Sequence, residues 1–87
     1  MQAGLYKNSS VIFKYIVMDY LDHQIHQAQT EIQSYEHKYQ QSFVKWSESI
    51  SGQATINEED DWMKWEAARD MLSGWQQIRT DIEQSDV

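Results

Sequence analysis

Eighty-seven residues make at most one small domain, of a size at which a single core is thin. There is no cysteine, which excludes disulfides, thiolate metal sites and thiol nucleophiles; fourteen acids against seven bases give a net charge of −7, which disfavours the phosphate backbone of nucleic acid. No proline and only three glycines exclude a turn-rich β fold, and four Trp, five Tyr and two Phe exclude an aromatic-poor disordered tail.

In chain order, residues 1–8 lack hydrophobic periodicity and read as a flexible N-terminus. Ser9 or Ser10 can cap the helix that follows, its hydroxyl oxygen accepting a first-turn N–H. The apolar run Val11–Met18 is interrupted by Lys14 and falls short of the roughly 20 residues a membrane span needs, so no membrane association and a cytoplasmic location are expected. As a helix this run is apolar almost all round, which predicts burial on more than one side; an extended arm is the alternative. Either way Phe13 and Ile16 are candidate contacts with another chain.

From Val11 onward apolar residues recur every seven, at Met18, Ile25, Ile32, Tyr39 and Trp46, with a second row at Leu21, Ala28 and Tyr35. That spacing predicts a long helix over about residues 9–50, with a partner helix and a left-handed supercoil. Lys14 and Ser42 are its polar exceptions. At Phe43 and Ile50 the row moves by one, which predicts a kink or an irregular turn near residues 40–43. A break with Ser42 capping a short helix is the other reading, and Lys45 in place of the capping-box acid speaks against it.

Ser51–Asn57 reads as a loop, with Gly52 suited to the left-handed conformation after a helix end. Asn57 is the expected N-cap of a second helix over 58–84, with Asp60 as a weaker capping-box acid. Glu58–Asp61 then occupies the first turn, where the helix dipole favours negative charge. Trp65, Ala68, Leu72, Trp75 and Ile82 follow at helical spacing, and residues 85–87 read as a polar tail.

The expected fold is therefore all-α: one domain over residues 9–84, a long antiparallel, coiled-coil-like helical hairpin. Its seam is Met18, Leu21, Ile25, Ile32, Tyr35, Tyr39 and Trp46 against Trp65, Leu72 and Trp75. Two helices share only one seam, and Tyr15, Tyr20, Phe43, Trp62 and Ile78 lie off it. A homo-oligomer, most simply a dimeric four-helix bundle, is expected to cover them.

Candidate chemistry is sparse. Asp19, Asp22, His23 and His26 stand at i, i+3 and i, i+4 spacings that suit zinc or iron. They lie beside the apolar stripe, and no Glu-x-x-His occurs, so no metal and no cofactor are expected; His23 and His26 are only weak candidates. No Ser-His-Asp set, phosphate loop or nucleophile elbow is present, so no catalytic residue is named and no enzyme is expected. Charge is more informative: residues 1–56 carry five acids and four bases, residues 57–87 nine acids and three. Trp62 with Glu58, Glu59, Asp61 and Glu66 thus forms an acidic, aromatic face fit for a basic protein partner, unless the tryptophans simply fill the hairpin core.

Tyr35-Glu-His-Lys-Tyr39, Ser42-Phe43 and Trp46, followed by an acidic turn and Asp61-Trp-Met-Lys-Trp65-Glu66, stand in a familiar order. Over about residues 20–80 the chain resembles small two-helix prokaryotic proteins encoded beside TumE-like toxin genes and regarded as antitoxins. Gln40 stands where those proteins tend to have Gly. The resemblance implies binding and neutralisation of a cognate toxin by occlusion; the alternative is a structural homo-oligomeric scaffold without a toxin.

Overall fold

The computed structural model describes the backbone of residues 2–85 and side chains from Ser10 onward; among these residues it holds three α-helices and no strand. They are α1 (Gln2–Tyr39), α2 (Phe43–Ile50) and α3 (Ile56–Glu83). Met1, and residues 86–87 of the expected tail, lie outside the described residues.

Helix α1 starts ahead of the Ser9–Ser10 cap. Gln2–Asn8 contains no proline, and Ala3, Leu5 and Lys7 favour a helix enough to offset Gly4 and Asn8. It ends at Tyr39 because Gln40 adopts a left-handed conformation, φ +54°, with its side-chain amide donating to the His37 carbonyl at 2.7 Å. The favoured kink near 40–43 is therefore a full break. Ser42, extended at φ −70° and ψ 159°, caps α2 and accepts the Lys45 N–H at 3.3 Å. A lysine at that position omits the reciprocal half of the box without preventing the cap.

Helix α2 ends into Gly52, whose φ of +78° is the left-handed turn expected there. The start of α3 corrects the expected Asn57/Asp60 cap. Thr55 is the N-cap, accepting the Glu58 N–H at 3.2 Å, and the Thr55 N–H donates to the Glu58 carboxylate at 2.9 Å. Both orphan groups are met by one Thr-x-x-Glu pair, and a hydroxyl two residues earlier starts the helix before Asn57 can.

Helices α1 and α3 pack side by side. Near the start of the contact Tyr20 and Asp22 meet Trp75 and Arg79, and near its end Tyr35 and Lys38 meet Trp65 and Asp61, so the early part of α1 lies against the late part of α3 and the reverse. The result is a rod of 66 × 18 × 17 Å. The core is Leu21, Ala28, Trp46, Trp65 and Ala68. The remaining seam positions, Met18, Ile25, Ile32, Tyr35, Tyr39, Leu72 and Trp75, are half-buried along the α1–α3 contact.

The two ends of the rod differ. At the end closed by the α2 turn, Trp65 is fully enclosed, with ring centroids 5.7 Å from Tyr35, 6.2 Å from Tyr39, 5.3 Å from Phe43 and 5.4 Å from Trp46. One indole thus joins all three helices. At the open end, where α3 stops and α1 runs on, Leu21 is the only buried apolar side chain among the described residues.

Candidate functional site

The acidic, aromatic face proposed from the chain order lies at the closed end, and α2 completes it. Trp62, half-buried, stacks on Phe43 with ring centroids 5.7 Å apart and donates its indole N–H to Ser47 Oγ at 2.8 Å. The ring therefore ties α2 to α3 while its outer edge stays accessible. Between the two helices lies an open groove of about 440 Å³, lined by Ser47, Ile50, Ala54 and Gly52 on one side and by Glu59, Trp62 and Met63 on the other. Its walls are mainly apolar, and Glu59 supplies the one charge among them.

The acids of this region divide by what holds them. Glu58 is engaged in the capping box, and Glu59 and Asp60 are exposed, Asp60 pairing with Lys64 one turn on at 3.0 Å. Asp61 faces inward: it accepts from Lys38 Nζ at 2.6 Å and also from the Tyr39 hydroxyl. Those two hydrogen bonds, Lys38 first, hold its carboxyl below the usual carboxylate range. Burial, reinforced by the hydrogen bond to Asp61, pushes the Tyr39 phenol up. Asp61 is thus a clasp between α1 and α3, and its charge is already partnered within the chain. Glu66 is half-buried one turn beyond Trp62.

Phe13 and Ile16 are exposed at the opposite, open end of the rod, far from Trp62. The candidate contacts therefore form two separate places rather than one. His23 and His26 are exposed; the His23 ring shares a 3.2 Å hydrogen bond with the Gln27 amide, and no group of three His, Cys, Asp or Glu side chains gathers among the described residues.

Two residues of the closed end were missing from the sequence reading. Ile56 and Met63 are strongly exposed, at 85% and 65%, and Met63 lines the groove. Their signal was their seven-residue spacing along α3, on a side away from the Trp65–Leu72 seam. The electrostatics follow the same division, since the acids outnumber the bases mainly in α3. Comparison with protein-family models, with curated proteins and with solved structures finds no match to this chain.

Proposed function

We propose that this chain is a non-enzymatic protein-binding module of the antitoxin kind, built on a coiled-coil-like hairpin of α1 and α3 that self-associates. The closed end takes a basic partner: an apolar side chain enters the groove against Trp62 and Met63, and lysines or arginines around it meet Glu59 and Glu66. Seating a toxin's active-site surface there blocks it by occlusion, with no chemistry required of this chain.

The observation that carries the reading is an apolar groove rimmed by Glu59 at the start of the helix that holds most of the acid excess. Exposed apolar surface anchors a partner and surrounding charge steers it in. The order of aromatic and acidic segments, which resembles that of antitoxins encoded beside TumE-like toxins, supports the same reading.

The test is capture with the tagged chain from the cells that make it, at moderate salt, with bound proteins identified by mass spectrometry. One small basic protein is expected at fixed stoichiometry, released by high salt. Met63→Lys and Glu59→Lys should abolish its capture, because both side chains are exposed and neither substitution touches the core. Capture that survives both variants would refute the proposed site. Trp62→Ala is a poorer probe, since it also cuts the link between α2 and α3.

A further inference from the structure

The open end carries a second apolar pattern that shares only Trp75 with the α1–α3 seam. On α1, Phe13, Ile16 and Tyr20 follow at spacings of three and four and are 67%, 62% and 54% exposed. On α3, Met71, Trp75, Ile78 and Ile82 follow at spacings of four, three and four, with Met71 52% and Ile78 43% exposed. The two stripes lie on the same side of the rod. Tyr20 meets Trp75 edge-on at 6.0 Å, and Phe13 and Ile82 line one hollow where α3 ends.

From these points we infer that this face is where a second copy of the chain docks, the two open ends overlapping antiparallel as a four-helix segment with the closed ends pointing apart. The inference gives a location to the self-association proposed above and is independent of the antitoxin reading. Three observations select a second copy as the occupant. The first is pattern: each helix bears a three–four repeat facing the same way, which is what two helices need in order to meet two more. The second is area. The five most exposed residues present on the order of 600 Å², at the upper limit for a monomer and close to the roughly 800 Å² per partner of a standard interface. The third is charge. Neither stripe holds a charged residue, although the chain carries −7. The acids Asp19, Asp70 and Asp81 border the stripes rather than enter them, so the centre of the face offers a basic partner no ion pair and lets two copies meet on apolar side chains. The antiparallel overlap also keeps the acid-rich starts of α3 at the far ends of the assembly.

The arrangement explains the uneven core. At the closed end α2 is the third helix that covers Trp65; at the open end a second copy takes that part.

The test is sedimentation equilibrium of the full chain, with helix content followed by circular dichroism. A dimer of twice 10.4 kDa is expected. Ile16→Lys and Ile78→Lys should each weaken it by at least roughly 100-fold, while Met63→Lys at the closed end leaves it unchanged. Two variants on different helices, both at exposed positions, guard against one failing to fold. Because the chain lacks cysteine, Ile16→Cys should oxidise to a disulfide-linked dimer, and Met63→Cys should not. A chain still monomeric at about 100 µM, well above the micromolar limit of interfaces this size, would overturn the inference. So would a dimer that survives both lysine variants, or crosslinking confined to the closed end. A monomer that engages a different protein through Ile16 and Ile78 would likewise overturn it. Loss of the dimer with toxin-like capture intact, or the reverse, separates failure here from failure of the closed-end reading.

Discussion

Trp65→Ala is the sharpest probe of how this small chain is held together. The side chain is wholly enclosed, and four other rings from α1 and α2 surround it. An enclosed tryptophan removes about 150–250 Å² from water, or ~4–6 kcal/mol at ~25 cal/mol per Å². One term opposes this: its indole N–H is buried without a hydrogen-bond partner, a cost of about 1–3 kcal/mol that truncation relieves. The net loss is then about 3 kcal/mol, a large share of the roughly 4–13 kcal/mol expected for 87 residues. Urea unfolding followed by circular dichroism, at fixed protein concentration so that the proposed self-association contributes equally to every variant, reads the shift directly. Trp65→Phe separates the two terms, since it keeps a ring and deletes the orphan donor; it should cost about 1 kcal/mol or less. Equal losses in the two variants, or a loss below about 1 kcal/mol for Trp65→Ala, would refute the claim that this indole unites the three helices.

Other expectations concern single elements. Thr55→Ala removes half of the capping box and should lower stability by about 1 kcal/mol, with Thr55→Ser close to neutral, as read from the urea midpoint. Gln40→Gly should raise it by about 0.5–1 kcal/mol, because a left-handed residue with a Cβ costs ~1–2 kcal/mol and glycine returns part of that gain as chain entropy. Stability should also fall at both pH extremes. Asp61, its folded carboxyl held low by Lys38 and Tyr39, stabilises fully above the usual carboxylate range and loses that contribution as pH drops through its lowered value; Asp61→Asn should flatten the acid limb. Tyr39 and Tyr35 are both raised, chiefly by burial, so their contribution is complete below the usual tyrosine range and lost as pH climbs through the raised values. Tyr35→Phe should flatten the alkaline limb of the same unfolding series.

What the sequence revealed, and what it hid, follows from the range over which each feature is determined. The seven-residue rows through Met18–Tyr39 are local and repeated, so the helical character of that stretch could be read directly from the chain. The break after Tyr39 was hidden because glutamine at residue 40 does not signal a left-handed turn, although the Ser42 cap was visible. Thr55-x-x-Glu58 was as legible as Asn57-x-x-Asp60 and chemically the better box, with a longer acid reaching back to the cap. The inward turn of Asp61 could not be read at all. It depends on Lys38 and Tyr39 arriving from another helix, and only the closed chain brings them there. Ile82 read as part of the helical row and Ile78 as a position off the seam, and the stripe they form with Met71 emerges only beside its companions on α1, which the pairing identifies.

The asymmetry between the two ends also bears on how the rod opens. Lys38 and Asp61 are 23 residues apart in the chain, and Asp22 and Arg79 are 57 apart. Bringing the more distant pair together costs under about 1 kcal/mol more in chain entropy, since that cost grows only with the logarithm of the separation. Any gradient of local opening is therefore set by side chains rather than by topology. Backbone amides near Tyr35 and Trp65 should exchange with solvent only through global unfolding, whereas those near Val17 and Ile78 exchange through a fraying that leaves the Trp65 cluster intact. A second copy seated across both helices at the open end would hold them together and oppose that fraying. With such docking, amide protection at the open end should rise with protein concentration, while protection around Trp65 is already high in dilute solution.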